Sequence, residues 1–515
     1  MRQADEALVL KGVAGACLLA LLLRLWPAVA GLPLLAEGWV TEDGYLMLTV
    51  ARNLALGLGL SVSDGTIPTN GVQPLAAFLY ALPYALTGGD KLAGLALLHG
   101  LWAAIAVAGA LAVRAFAGRV LGALGMAPAW AWLAAGLWFC GPLLIGHSMN
   151  GLETGLYTLT ILLACLQFLR LVERGAAARP RDLMLMAGLL GLVFLARNDG
   201  VFLIFALLAI WLWHARSRLG QAPATILRSL ALPLLVCLAV VAPWLIHNQL
   251  FFGSIVPISG TAQSVGVGIG SNLPNLPAVL FENMAPMLPI PNRIETWPAV
   301  IALSGLAVVA VLAAFLRLVW RAGGAVRLVV LAYLLHGLAL AGYYGLFFGA
   351  PHFLARYTAP LAPLLIVALL AVGWQLAERL ARSGAARAMT LAGLAALVLS
   401  LGLSVRALVA DQGHVQVVRW VEANVPAEDW VGAVQTGTLG YWHDRTINLD
   451  GKVNPQALQA RREIGHVLHY VAASEIAWLA DWSGIAGWVD REGFGAYFEV
   501  IVNDPAANLA VLPRR

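Results

Sequence analysis

Long apolar stretches separated by short arginine-bearing connections constrain this chain more than any other feature. A helix needs about 20 apolar residues to cross a bilayer, and the 515-residue chain repeats such stretches until about residue 408. Hydrophobic residues make up 60% of the sequence and charged residues only 11%. A soluble domain of this length does not have that balance, so the expected fold class is a polytopic α-helical membrane protein. The net charge of +5 says little alone, because the placement of Lys and Arg decides orientation. Cys17, Cys140, Cys165 and Cys237 all fall in apolar stretches, which argues against a disulfide framework and gives no metal-ligand spacing. The first apolar run has no small-residue cleavage site and reads as a retained span rather than a signal peptide. There is no nucleotide-binding glycine motif, no basic nucleic-acid patch and no solenoid repeat, so no nucleic-acid partner is expected.

The positive-inside rule threads the stretches in one way. Spans fall at about 12–30, 92–113, 127–146, 154–171, 183–196, 201–213, 228–246, 297–316, 328–348, 358–377 and 388–408. Arg2 and Lys11 then lie inside, with Arg114 and Arg119, Arg170 to Arg181, Arg216 and Arg218, Arg317 to Arg327, and Arg379, Arg382 and Arg387. The outside connections hold Glu37, Glu42, Asp43, Asp64, Asp90, Glu153 and Asp199. Residues 74–87 are apolar but short, and read as an interfacial or re-entrant helix. Eleven spans therefore place the N-terminus in the cytoplasm, a first external loop at 31–91, and residues 409–515 outside. The expected organisation is a membrane unit, 1–408, and a small α/β domain, 409–515. In that second unit Val415–Asn424 and Leu458–Val471 read as helices, and Trp430–Val434, Thr446–Leu449 and Glu475–Ala480 as strands.

Several external connections carry an acid or base beside a span end. These are Glu42 and Asp43 after the first span, Glu153 after the third, Arg197 with Asp199 after the fifth, His247 after the seventh, and His352 with Arg356 after the ninth. Ionisable groups at such depth usually mark a site. Converging on one cavity, they would suit a charged, hydroxyl-rich ligand. Each also has a plainer reading. The acidic pair and Glu153 can cap helices, Arg197 and Asp199 can form a local ion pair, and His247 can be an interface histidine. Arg356 and Tyr357 can anchor an interface, and Asp450 and Lys452 can belong to a turn. A transporter or flippase also needs many spans, but these polar residues sit at span ends and no inverted repeat is visible.

The order of these motifs carries a resemblance. An acidic pair with an aromatic after the first span, then ARNLALGLGL and PTNGVQPL, resembles the first external loop of the GT-C superfamily of membrane glycosyltransferases. NGLETGLY, LARNDGVF, WLIHNQLFFGSIVPISG, RYTAPLAPLL and LGYWHDRTINLDGKVN extend the likeness along nearly the whole chain. The resemblance takes in the protein O-mannosyltransferases, the aminoarabinose transferase of lipid A and the mycobacterial terminal arabinofuranosyltransferase. The chain departs from the pattern at Glu42-Asp43, where relatives have Asp-Asp or Asp-Glu, and at Gln73, where many have His. The resemblance implies an inverting enzyme of a bacterial inner membrane. It would move a sugar from a polyprenyl-monophosphate carrier to an envelope glycan, lipid or protein on the outer face. Asp43 or Glu42 would be the base, with Asp43 preferred because it keeps the residue type of the family. Arg356, His352 and Tyr357 would hold the donor phosphate, since the planar guanidinium fork matches it. Tyr45, Asn70, Gln73, Glu153, Arg197, Asp199, His247, Asn248 and Asp450 would contact substrate. A divalent cation is left open, as is an inactive scaffold of the same architecture.

Overall fold

Helices form where the apolar stretches require them. The computed structural model describes residues 3–217, 220–264, 268–291, 293–381, 384–410, 414–491 and 493–515. Arg2, Arg218 and Arg382 lie outside the described residues. Among the described residues nine helices are long and apolar enough to cross a membrane, ten if one bent pair counts as a span. They are Asp5–Ala30, Lys91–Ala123, Thr154–Arg174, Asn198–Ser217, Leu230–Phe252, Pro298–Ala322, Gly324–Phe347, Pro351–Leu380 and Ala385–Leu408. The expected eleven spans are not all found: the fifth is the helix Pro180–Ala196, whose 17 residues reach about 26 Å, and it is not among these nine or ten. Pro74–Leu86 is a separate 13-residue helix, too short to cross.

The third span is not continuous. Ala129–Cys140 and Pro142–Met149 meet at a bend of 62°. Pro142 has no N–H to give the preceding turn, and its ring crowds it. The carbonyls freed there are met from other helices. Arg24, fully buried in the first span, donates Nη2 to the Phe139 carbonyl at 2.8 Å and Nη1 to Ala20 at 3.2 Å. Its guanidinium also lies 4.0 Å over the Phe139 ring. Ser404 Oγ donates to the Cys140 carbonyl at 3.5 Å.

The arginine-rich connections gather at one end of the bundle. Arg119 pairs with Glu173, and Arg174 with Asp182 at 2.6 Å. Glu173, Trp213, His214 and Arg327 line one cavity there. At the other end the connection after the first span folds into a helix, Glu42–Ala55, a two-stranded hairpin, β1 (Ser61–Val62) and β2 (Ile67–Pro68), and Pro74–Leu86.

Residues beyond the last long helix build a five-stranded sheet in the order β4-β3-β5-β7-β6. β3 (Val431–Ala433) lies parallel to both β4 (Thr446–Asn448) and β5 (Trp478–Asp481). β6 (Val502–Asp504) and β7 (Leu509–Pro513) add antiparallel pairings that the sequence reading did not assign. Alternating side chains feed two apolar clusters: Leu479, Ala510 and Leu512 enter one, Ala480 and Val511 the other. The helix expected at Leu458–Val471 is instead two, Pro455–Ile464 and Leu468–Ala473, because Gly465 adopts φ 86° and ends the first.

The segment Gly437–Asn454 docks this sheet onto the first connection. The Tyr441 ring lies 4.9 Å from Tyr45, and its hydroxyl shares a 2.9 Å hydrogen bond with Tyr84. Asp444 receives Lys91 at 3.0 Å and Arg52 at 3.3 Å. Thr69-Asn70-Gly71 works as a clamp. A Cβ on Gly71 would stand 2.0 Å from the Lys452 carbonyl oxygen, so only glycine allows the approach. Asn70 Oδ1 accepts from Ile258 N at 3.1 Å and holds the short helix Ile258–Ala262.

Arg24→Met should lower thermal stability in detergent, because it leaves a buried carbonyl without its charged donor, at a cost of about 1–3 kcal/mol. An unchanged melting temperature would show that the bend does not depend on this arginine.

Candidate active site

Glu42 and Asp43 occupy the first turn of the helix Glu42–Ala55, whose cap is Thr41. Its Oγ1 accepts from Gly44 N at 3.3 Å. Adjacent helical positions point about 100° apart, so the two acids go to different partners. Glu42 turns to the docked segment. Its carboxylate accepts from Gly437 N, from Thr438 N at 3.0 Å and from Thr438 Oγ1 at 2.5 Å. It thus satisfies the open N–H groups of the helix Gly437–Trp442. A Cβ on Gly437 would meet the Glu42 carbonyl oxygen at 1.7 Å, which leaves glycine alone at this contact. Burial pushes the Glu42 carboxyl above its ordinary value even though Thr438 and Gly437 hold its charged form, and the Asp43 charge adds to the rise.

Asp43 faces cations. Its Oδ1 receives Lys452 Nζ at 3.0 Å, and its Oδ2 lies 3.8 Å from Arg356 Nη1. Burial alone would raise this carboxyl, but Lys452 and Arg356 together outweigh burial and hold it below its ordinary value. Asp450 sits behind Lys452, accepting from its backbone N at 2.8 Å and its Nζ at 3.3 Å. The expected turn at 450–452 is real, and its lysine reaches into the site. Burial lowers the Lys452 pKa and Asp43 with Asp450 raises it, the two acids prevailing.

Asp43, Leu152, Arg356 and Lys452 line two cavities at once, so they form the wall between them. The first cavity, of about 320 Å³, also takes in Gln73, Glu153, Arg197, Asp199 and Tyr357, with Tyr344, Gln263 and Asn198. Within it, Arg197 donates Nη2 to Asp199 and to the Tyr344 hydroxyl at 3.0 Å, and its Nε lies 3.7 Å from Glu153. Glu153 stands at the N-cap of its helix, but its side chain makes no cap bond. Tyr357 joins the two arginines: the Arg197 and Arg356 guanidinium carbons each lie 4.8 Å from its ring centroid. Its hydroxyl accepts from Arg356 Nη2 at 2.9 Å and donates to Gln263 at 3.1 Å. The second cavity, of about 670 Å³, takes in Glu42, His147, Asn150, His352, Gln435 and Trp482. Pro142–Met149, the bent-off part of the third span, supplies one of its sides.

Four sequence candidates line neither cavity. Tyr45 is buried and donates its hydroxyl to the Ala36 carbonyl at 2.6 Å. Asn70 holds Ile258, and Asn248 donates to the Ile255 carbonyl at 3.3 Å. His247 packs with Trp244 and Phe251 on its own helix. A fifth, Asp450, acts through Lys452. The sequence reading passed over Lys452 as a turn residue. A signal was present, for the chain has three lysines among 32 basic residues. Among the described residues no group of three or more His, Cys, Asp or Glu gathers in a way that could hold a metal ion. Glu42 and Asp43 are turned to different partners, so the pair does not fit a shared cation.

A family model described as a domain of unknown function, DUF8728, matches residues 405–505. No curated protein sequence matches the chain. Solved structures do. ArnT from Cupriavidus metallidurans in the apo state superposes with a TM-score of 0.59 at 13% identity, covering 99% of this chain and 98% of that one. The same protein bound to undecaprenyl phosphate gives 0.58 at 14% identity, covering 98% and 97%. The archaeal oligosaccharyltransferase AglB from Archaeoglobus fulgidus, with an inhibitory peptide and a dolichol-phosphate, gives 0.56 at 12% identity, covering 97% of this chain and 74% of that one. Both proteins are GT-C glycosyltransferases. The helices, the folded first connection and the docked sheet therefore make up one known architecture: the chain has the fold of the GT-C membrane glycosyltransferases.

Proposed function

We propose that this protein is an inverting glycosyltransferase that takes a sugar from a polyprenyl-monophosphate carrier and passes it to a hydroxyl of an envelope glycan, lipid or protein. The observation that carries the reading is Asp43 in the wall between two cavities, flanked by Lys452 and Arg356. A transfer of this kind needs a base for the acceptor hydroxyl and cations where phosphate charge develops. One wall here carries both.

The donor enters the first cavity in this reading. Phe202, Tyr343 and Val256 line it, and Phe205, Phe251, Ile255 and Phe347 are exposed apolar side chains on the same segments, which suits a polyprenyl tail beside the phosphate. The phosphate binds Arg356 and Lys452 and replaces Asp43 as their counter-ion. That frees Asp43 and lets its proton affinity rise, so donor binding precedes base catalysis. The acceptor enters the second cavity. Its oxygen attacks the anomeric carbon, the bond from that carbon to the phosphate oxygen breaks, and the hydroxyl proton goes to Asp43. Polyprenyl phosphate leaves with its charge held by the arginine fork and the lysine. His352 stands beside the same wall. The neighbours' undecaprenyl and dolichol phosphates support a carrier of this class.

We place the enzyme in a bacterial cytoplasmic membrane. The arginine-rich end of the bundle would face the cytoplasm, and the site and the domain 409–515 would face outward, with 1–408 as the membrane unit.

Asp43→Asn keeps the shape and removes the base. It should lower sugar transfer from radiolabelled polyprenyl-phosphate donors by roughly 10²- to 10⁴-fold while undecaprenyl phosphate still binds. Arg356→Ala should weaken that binding, with only partial rescue by Arg356→Lys. Full transfer by Asp43→Asn rejects the mechanism.

The pH response follows from the same ion pairs. A depressed carboxylate contributes stability above its ordinary value of 3.8 and loses it only as pH falls through its lower folded value. Lys452→Met removes the nearest cation and moves the folded value back toward 3.8, so the variant should be less stable at neutral pH and its acid limb shallower than that of the wild type. Melting temperatures measured from pH 3 to 7 (roughly the carboxylate range and above) read this, and superimposable acid limbs would remove Lys452 from the account of Asp43.

A further inference from the structure

One wall of the first cavity is not used by the phosphate or the base. The turn Arg197-Asn198-Asp199 and Gln73 form it. The Arg197 and Asp199 side chains are 2% and 6% exposed. Arg197 Nη1, Asn198 Oδ1, Asp199 Oδ1 and Gln73 Oε1 are buried atoms with no hydrogen-bond partner in the protein. Buried polar atoms in folded proteins are nearly always paired, and four on one cavity wall point to a ligand that completes them. Three are acceptors and one is a donor. A cavity of about 320 Å³ is at the lower end for a small-molecule site.

We infer that this wall reads the sugar of the donor, an inference that rests on the glycosyltransferase reading above. Sugar hydroxyls donate to Asp199, Asn198 and Gln73, and one hydroxyl oxygen accepts from Arg197 Nη1. The substrate class is a polyhydroxylated sugar without a carboxylate. A uronic acid would offer a carboxylate, which only accepts hydrogen bonds, where acceptors already predominate.

The test uses the full-length protein in detergent and three sets of probes. These are undecaprenyl phosphate, undecaprenyl phosphate carrying a neutral pentose or hexose, and undecaprenyl phosphate carrying a hexuronate. The wild type should bind at least one neutral-sugar donor more tightly than the bare carrier, and the hexuronate donor no more tightly than the bare carrier. Asn198→Ala and Gln73→Ala should each weaken the neutral-sugar donor about tenfold, the loss of one hydrogen bond, and leave the bare carrier unchanged. Equal losses on both probes, no loss on either, or preferred binding of the hexuronate overturns this inference alone. Failure of the wild type to bind the bare carrier overturns the donor reading and this inference with it.

Discussion

A buried carboxylate needs partners, and this protein supplies those of Asp43 from far along the chain. Lys452 comes from the docked segment and Arg356 from the start of a late membrane helix. Neither cation reaches the acid unless the first connection, the bundle and the sheet are all assembled. The placement of one charge thus requires most of the fold. Burying an ion without compensation is costly, so an arrangement that left Asp43 alone would be disfavoured. The rest of the architecture supports this meeting. The clamp at Gly71 fixes the Lys452 backbone, Asp450 holds its ammonium, and Tyr357 braces Arg356 against Arg197.

Two neighbouring acids share the work by geometry rather than chemistry. Glu42 and Asp43 sit in the same helical turn, yet one fastens a distant helix and the other faces two cavities. The longer side chain suits the fastening role, because it spans to the N–H groups of Gly437 and Thr438. Exchange of the two residue types would disturb both contacts.

How far the sequence revealed this depends on the length scale of each interaction. The long helices follow from apolar runs of bilayer length, so the places of nine expected spans were legible, while the expected fifth is a helix of only 17 residues, Pro180–Ala196. Asp43, Glu153, Arg197, Asp199 and Arg356 stood out because charge beside an apolar run is rare, and they do line one cavity. Lys452 did not stand out. Its neighbours describe an ordinary turn, and only the tertiary fold sets it 3.0 Å from a residue 409 positions away. Tyr45, Asn70 and Asn248, whose side chains bond to backbone groups, stood out for a related reason. Polar side chains near a site look alike in sequence whether they meet a ligand or a backbone group of the fold. β6 and β7 were missed because three- and five-residue strands carry little periodicity.

The broken third span separates two kinds of change. Leu143, Gly146 and His147, on the piece deflected at Gly141-Pro142, border the second cavity and are not part of the first. Arg24 and Ser404 hold the break from behind, so the deflected turn can vary in its side chains without loss of its support. Over evolutionary time the larger chamber could be reshaped by substitutions on that turn while the smaller one stays as it is.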